Sequence, residues 1–236
     1  VALIDIGGGT TDLAIFKDGI IRHTAVIPFG GNVLTEDIKE GCSIIEKQAE
    51  LLKIKFGSAW PGENRDTEIV SIPGLRGRDP KEISLKTLSK IINARVVEII
   101  EQVFLEIKNY GHNDQKKKLI AGIVLTGGGS QLKHLKQLVE YITGMDTRVG
   151  YPSEHLAGNT QESVAKPLFA TAVGLLMTAL EQKSATTEEE ENTTLEAVPD
   201  AEDTAEAAVE MSTPEKHRKS ILEKFGEKLK EILDNA

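Results

Sequence analysis

Two carboxylates bracket a run of three glycines near the start of the chain, in Asp5-Ile6-Gly7-Gly8-Gly9-Thr10-Thr11-Asp12. Glycine lets backbone N–H groups converge on one centre, and a concave set of such donors suits phosphate. Gly7, Gly8 and Gly9 would offer amides, and Thr10 and Thr11 hydroxyls. Asp5, at the end of an apolar strand, is of the type that holds Mg²⁺ through water, because this ion keeps much of its hydration shell. The same residues also suit a plain glycine hairpin with Asp5 and Asp12 as turn residues.

A second stretch, Thr126-Gly127-Gly128-Gly129-Ser130, also follows an apolar strand and is expected to open a helix, whose N-terminal dipole favours an anion or a polar ligand edge. Glycine loops at strand ends are where open α/β sheets take ligands, so two of them point to a nucleotide rather than to two unrelated turns. Neither GxxxxGK[ST] nor GxGxxG with a following acidic residue occurs, which excludes the two common nucleotide fingerprints. Glu50 and Lys53, three apart on a predicted helix, suit either a ligand contact or an ordinary i,i+3 ion pair.

The elements that must carry these residues follow from hydrophobic periodicity. Residues 1–6, 13–16 and 20–27 read as strands, with a turn at Lys17-Asp18-Gly19. Asn32 is expected to cap a helix starting near Val33, and a second helix carries Ile44, Ile45, Gln48, Leu51 and Leu52. The turn-rich stretch 57–83 holds one short strand, 68–72, and reads as a small β-containing insertion. A long helix spans 84–109 behind Ser84 as cap. A strand at 119–125, a helix bearing Leu132, Leu135, Leu138, Val139 and Ile142, and a strand at 147–149 follow. The apolar run at 167–180 is too short to cross a bilayer, and 167–181 is read as a buried helix. The fold class is α/β.

The net charge of −9 is unevenly spread. Residues 1–183 carry 22 basic and 22 acidic side chains, 184–214 carry ten acidic and none basic, and 215–236 carry six basic against five acidic. The acidity belongs to a stretch rich in Glu, Ala, Thr, Asp and Pro that reads as a disordered linker spanning roughly 30 Å or more. A sequence pI near 5.2 argues against a nucleic-acid partner. The single cysteine, Cys42, makes an internal disulfide impossible and fits a reducing cytoplasm.

Beyond the linker, helical periodicity returns. On a wheel of 100° per residue, Ile221, Leu222, Phe225, Leu229, Ile232 and Leu233 fall on one face of an amphipathic helix. Docking back on the core, self-association and lying on a membrane surface are the three readings. Shortness, the tether and the basic entry Lys216, Arg218 and Lys219 favour the membrane. Six apolar side chains give about 12 kcal/mol in gross, against about 1 kcal/mol per ordered residue. One anchor is therefore marginal, and stable attachment is expected only when several act together.

The residues also carry a family resemblance. DIGGGTTDLAIF resembles the second phosphate motif of the actin, Hsp70 and sugar-kinase superfamily, IVLTGGGSQLKHL its adenosine motif, and FATAVGLL, 169–176, its second connecting helix. GGGTTDLAIF, PFGGNVLTEDI, AELLKIKFGSA, IPGLRGRDPKEIS, INARVVEII and VLTGGGSQL resemble, in order, the FtsA family of bacterial cell-division proteins over most of 1–176.

That resemblance implies the second lobe of an actin-like ATPase, a ribonuclease-H-like mixed sheet flanked by helices. Residues 1–56 and 111–183 would form its nucleotide-binding core and 57–110 an inserted α+β outer subdomain. It implies ATP with Mg²⁺: Gly7, Gly8, Gly9 and Thr10 on the β- and γ-phosphates, Thr11 and Asp5 in the same motif, Gly127, Gly128, Gly129 and Ser130 around the adenosine, and Glu50 and Lys53 on ribose and base. It assigns no catalytic residue and at most weak ATPase activity. The outer subdomain would bind the C-terminal tail of FtsZ, with Lys81 and Arg95 at its basic positions; pairing of Arg95 with Glu98 or Glu101 on its own helix is the alternative. The terminal helix would anchor the protein to the cytoplasmic face of the inner membrane at the division site, where it self-associates into filaments and meets other division proteins. A kinase or phosphatase of the same superfamily, acting on a small molecule, is the competing function. The family's first phosphate motif, first connecting helix and other lobe have no counterpart here, and the chain starts without Met inside an apolar strand. A fragment with weak ATP binding of its own is the expectation.

Overall fold

Strands β1 (Ala2–Ile6), β2 (Thr11–Lys17) and β3 (Ile20–Ile27) form an antiparallel meander in the computed structural model. The model describes residues 1–65, 67–74, 77, 79–112, 119–153, 156 and 164–195, the side chains of 112 and 184–195 excepted. Alternation fixes the register: Ala2, Ile4, Ile6, Leu13, Ile15 and Ile27 all point into the core. The β2–β3 turn is closed by Asp18 and Gly19, both with positive φ, as a two-residue hairpin with the strands' own twist requires.

Strand β6 (Ile123–Thr126) lies parallel to β1, and β7 (Thr147–Val149) parallel to β6, which gives a mixed five-stranded sheet in the order β3-β2-β1-β6-β7. Asp5 is paired in register with Thr126. The two glycine runs therefore leave the carboxyl ends of adjacent parallel strands, side by side.

Helices α1 (Gly31–Cys42), α2 (Glu46–Phe56), α3 (Leu85–Ile107) and α4 (Leu135–Thr143) complete the core. Leu88, Ile92, Val96, Ile99, Ile100, Val103 and Ile107 recur at helical spacing and are buried along α3. Strands β4 (Ile69–Ile72) and β5 (Lys81–Ser84) form a separate antiparallel pair; the second of these went unseen in the sequence reading. Ile72 and Ile83 join the same hydrophobic cluster as Ile4 and Ile100, so 57–110 shares one core with the rest. The chain divides into two units, Val1–Glu188 and Glu189–Ala236. Of the second, only the end of helix α5 (Ala170–Leu195) is described.

Four expectations are corrected. Asn32 is not a cap: α1 starts at Gly31 behind Gly30, with no side-chain cap bond, because loop carbonyls satisfy its first amides. Strand β6 is shorter than 119–125, since Gly122 turns at φ +63° and its amide donates to the Leu119 carbonyl. The second glycine loop enters a short 3₁₀ turn, Gly128–Gln131, and α4 begins only at Leu135 behind a left-handed His134, so no α-helix dipole stands at that loop.

The apolar segment at 167–181 is not buried. Leu168, Leu175, Leu176 and Leu180 each expose more than half their surface, and of its helical residues Val173 is buried. Apolar composition marks a face that shuns water without naming what lies over it. The helix also runs on to Leu195, past the composition change at 184. Residues 196–236, with the amphipathic segment and Ile221, Leu222, Phe225, Leu229, Ile232 and Leu233, lie outside the described residues. Among the described residues no helix is long and apolar enough to cross a membrane.

Candidate functional site

The first glycine loop is held from behind by α1. The Gly7 amide donates to the Thr10 carbonyl at 2.9 Å and closes the turn. The Gly7 and Gly8 carbonyls in turn accept the amides of Gly31 at 2.9 Å and Asn32 at 2.8 Å. A methyl group on Gly30 would stand 2.7 Å from both carbonyl oxygens, so Gly30 permits this contact. The arrangement uses the loop's carbonyls and leaves the amides of Gly8, Gly9 and Thr10 without an acceptor among the described residues. Orphan donors on an exposed turn suit an anion.

The second loop is pressed against the first strand. Gly127 has φ +80°, and a Cβ there would lie 2.2 Å from Asp5 Oδ1 and 2.6 Å from the Ile6 carbonyl oxygen. At Gly129 a Cβ would lie 2.3 Å from Ile6 Cγ2. Asp5 also accepts a hydrogen bond at Oδ2 from Thr171 at the start of α5, at 3.0 Å. It is paired across β1 and β2 with Asp12, whose carboxylate accepts from the Thr10 hydroxyl at 2.9 Å.

Glu50 and Lys53 are more than a surface pair. Lys53 Nζ donates to the Gly31 carbonyl at 2.8 Å, the Thr35 hydroxyl at 2.7 Å and Glu50 Oε2 at 2.7 Å, which uses all three ammonium protons. The Thr35 hydroxyl also lies against the Glu50 carboxylate. Burial pushes the Glu50 carboxyl up, but the hydrogen bonds from Lys53 and Thr35 and the charge of Lys53 outweigh it and hold the group below its ordinary value. The pair pins α2 to the first turn of α1, where the glycine loop is strapped. Lys53 is 14% exposed and Glu50 43%, so Glu50 keeps more of its surface open.

A cleft of about 700 Å³ brings Asp5, Gly7, Gly8, Glu50, Lys53, Gly127, Gly128 and Gly129 together. Gly9 and Thr10 are exposed at the loop tip and do not line it. Thr11 and Ser130 face the protein: Thr11 Oγ1 donates to the Phe29 carbonyl at 2.8 Å and Ser130 Oγ to the Gly127 carbonyl at 2.8 Å. The sequence reading missed Asn32 as a lining residue, along with Gly31, Ile54, Gly57, Leu132, Lys133 and Thr171. The double glycine of Phe29-Gly30-Gly31-Asn32 was the signal for the first two. The far wall is fastened where Ser58 Oγ meets His134 Nδ1 at 2.9 Å and the Ala59 amide donates to the Lys133 carbonyl at 2.8 Å. Among the described residues no three His, Cys, Asp or Glu converge as a metal cluster.

Arg95 lies elsewhere, between α3 and α1. It donates to both oxygens of Asp37, at 2.7 and 3.0 Å, and to Glu98 at 2.6 Å, and these bonds hold its guanidinium above its ordinary value. Glu98 was the foreseen alternative partner, and Asp37 was not. Lys81 is exposed at the start of β5 and has no ion pair among the described residues.

Residues 2–174 match the family model described as "Cell division protein FtsA". This chain belongs to the FtsA family. It is 41% identical over 179 residues to the FtsA of Neisseria meningitidis serogroup B, covering 76% of this chain and 42% of that protein. The FtsA of Pseudomonas aeruginosa is 38% identical over 184 residues, with coverage of 78% and 43%. That of Escherichia coli K12 is 36% identical over 180 residues, with coverage of 75% and 42%. The chain thus spans less than half the length of these FtsA relatives. Among solved structures, MreB5 of Spiroplasma citri bound to ADP gives a TM-score of 0.60 at 24% identity, over 80% of this chain and 55% of that one. The same protein bound to AMPPNP gives 0.61 at 23%, over 81% and 55%. The PilM–PilN type IV pilus biogenesis complex gives 0.56 at 20%, over 75% and 45%. These likenesses show the actin-like fold that an FtsA chain is expected to have.

Proposed function

We propose that this FtsA-family chain binds ATP in the cleft between its two glycine loops and takes part in tethering FtsZ filaments to the cytoplasmic face of the bacterial inner membrane. The observation that carries the nucleotide reading is the juxtaposition of the loops at the ends of β1 and β6, with free amides on one and close-packed glycines on the other. The similar MreB5 structures hold ADP and AMPPNP, which supports a nucleotide as occupant.

The residues present fit such a ligand. The unpaired amides of Gly8, Gly9 and Thr10 suit phosphate oxygens, and Gly127, Gly128 and Gly129 leave room on the other side for the nucleoside. Glu50, with more of its carboxylate open, suits a sugar hydroxyl, while Lys53 holds it in place. Mg²⁺, when bound, would neutralise phosphate charge; Asp5 and Asp12, paired across the hairpin, suit a hydrated ion.

Fluorescent mant-ATP titrated into the full chain, with and without Mg²⁺, tests this. Binding that unlabelled ATP displaces and that Asp5→Asn makes insensitive to Mg²⁺ is expected. Absence of saturable binding, or binding indifferent to unlabelled ATP, would overturn the nucleotide reading. The tethering role rests on Lys81 and on residues 221–233, and is tested by capture of an FtsZ C-terminal tail peptide and by liposome co-sedimentation. Membrane binding is expected to be strong only for the self-associated form; equal binding by a strictly monomeric form would refute that.

A further inference from the structure

Thr171 reaches the cleft from the far end of the described chain. The short turn Pro167–Phe169 ahead of α5 is fixed to the second glycine loop: the Gly127 amide donates to the Pro167 carbonyl at 3.2 Å, and a Cβ on Gly128 would stand 3.0 Å from Leu168 Cδ1. Thr171, the second residue of α5, then donates its hydroxyl to Asp5 Oδ2 at 3.0 Å, across 166 residues of sequence. Both side chains belong to residues that line the cleft.

The other oxygen of Asp5 is confined as well. A Cβ on Gly127 would stand 2.2 Å from Oδ1, so the backbone of the second loop lies directly against it. Packing at one oxygen and a hydrogen bond at the other restrict rotation of the carboxylate. Its two oxygens offer about four acceptor positions, of which Thr171 takes one, so capacity for a further ligand is left. Asp12, directly opposite on β2, is held in the same manner, by the Thr10 hydroxyl on its Oδ2 at 2.9 Å. Like charges opposite each other on paired strands repel. Unrestrained, these two side chains would swing apart; the threonines hold one from the first glycine loop and the other from α5. An ion that keeps its water shell in near-octahedral geometry is received best by acceptors already oriented, because ordering a rotating side chain costs entropy at the moment of binding.

We propose that Thr171 is a positioning residue for Mg²⁺-dependent nucleotide binding: its hydroxyl holds Asp5 in the orientation that receives the hydrated ion, without itself meeting metal or nucleotide. This rests on the reading that the cleft takes ATP with Mg²⁺. A purely structural Thr171 would instead pin α5 to the sheet, and its loss would act alike whether or not the metal is present.

The test titrates mant-ATP into the full chain and its Thr171→Val, Thr171→Ser, Asp5→Asn and Asp5→Asn/Thr171→Val variants, each in saturating Mg²⁺ and in EDTA. Valine keeps the shape of threonine and removes the hydroxyl, whereas serine keeps the hydroxyl. Thr171→Val is expected to weaken binding in Mg²⁺ roughly fivefold, about 1 kcal/mol at tenfold per 1.4 kcal/mol, and to leave binding in EDTA unchanged. Thr171→Ser is expected to match the wild type in both, and Thr171→Val to add nothing on the Asp5→Asn background. Far-ultraviolet circular dichroism and the emission of Trp60, the only tryptophan, report folding; should Thr171→Val unfold, Thr171→Ala replaces it with the same expected result. Wild-type affinity of a folded Thr171→Val chain in Mg²⁺, an equal loss with and without Mg²⁺, or a further loss on the Asp5→Asn background would overturn the inference, and saturable binding by the wild type would at the same time leave the nucleotide reading standing. Wild-type binding indifferent to Mg²⁺ would overturn the metal's part of that reading and the inference with it, and no saturable binding by the wild type would overturn the whole.

Discussion

Gly127 and Gly9 look alike in the sequence, each in a triplet of glycines after an apolar strand, yet the structure separates them sharply. At Gly127 φ is +80°, and a side chain in the left-handed region costs roughly 1–2 kcal/mol. A Cβ there would also stand 2.2 Å from Asp5 Oδ1 and 2.6 Å from the Ile6 carbonyl oxygen, and one of these is backbone in a central strand. Relief requires moving β1 or β6 within a packed sheet, which adds about 1–3 kcal/mol. Gly127→Ala is thus expected to cost roughly 2–5 kcal/mol. At Gly9 nothing lies within 4 Å of a built Cβ, and φ is outside the left-handed region. Gly9→Ala should leave stability unchanged or raise it by up to about 1 kcal/mol through the unfolded chain. Urea unfolding followed by Trp60 emission measures both: at about 2 kcal/mol per molar urea, Gly127→Ala lowers the midpoint by about 1–2.5 M. A Gly127→Ala midpoint within about 0.3 M of wild type on that slope, or an equal loss at Gly9, would refute the close approach of the two loops.

Other perturbations probe the remaining contacts. Because the Glu50 carboxyl is held below its ordinary value in the fold, its ionised form adds stability above the unfolded value of about 4.3, and that increment is lost as pH falls through the folded value. The stability difference between wild type and Glu50→Gln should therefore shrink as pH falls below the unfolded value of about 4.3, and a difference that stays constant there would contradict the contact with Lys53 and Thr35. Ile100→Ala, at a fully buried position of α3, should cost about 3 kcal/mol, whereas Leu175→Ala on the exposed face of α5 should stay within about 0.5 kcal/mol in this chain; equal losses would mean that α5 is buried. Phe225→Glu with Leu229→Glu should abolish liposome co-sedimentation of the self-associated chain, and retention would remove the terminal segment as anchor.

The strands and the glycine loops were legible because their signals are local. Alternating β-branched residues ending in a glycine triplet specify a strand and a turn without reference to anything distant, and β1 to β3 and both glycine loops appear where periodicity puts them, whereas β6 starts later than 119 and β5 carries no such local signal. What was not legible is pairing. That Asp5 lies beside Thr126, and that Gly127 is forced by the carboxylate of Asp5, depends on a parallel crossover of more than a hundred residues that no local pattern encodes. The expectation of a buried 167–181 fails for a related reason: the segment is mostly apolar on every side, so its period names no buried face, and the exposed Leu175 and Leu176 are indistinguishable in sequence from core residues.

Helix α1 shows why residue type alone understates a site. Its buried stripe, Leu34, Ile38 and Cys42, is ordinary amphipathic spacing and by itself marks a helix and nothing more. The positions between carry the connections. Gly31 and Asn32 strap the glycine loop, Thr35 meets Lys53 and Glu50 one turn later, and Asp37, two residues on and turned to another side, takes Arg95. Apart from the double glycine that precedes Asn32, none of these has a spacing that marks chemistry. Their roles arise because a 3.6-residue period presents three separate faces within seven residues to three different neighbours. A displacement of α1 along its axis would therefore disturb the glycine loop, the Glu50–Lys53 pair and the Arg95–Asp37 ion pair together.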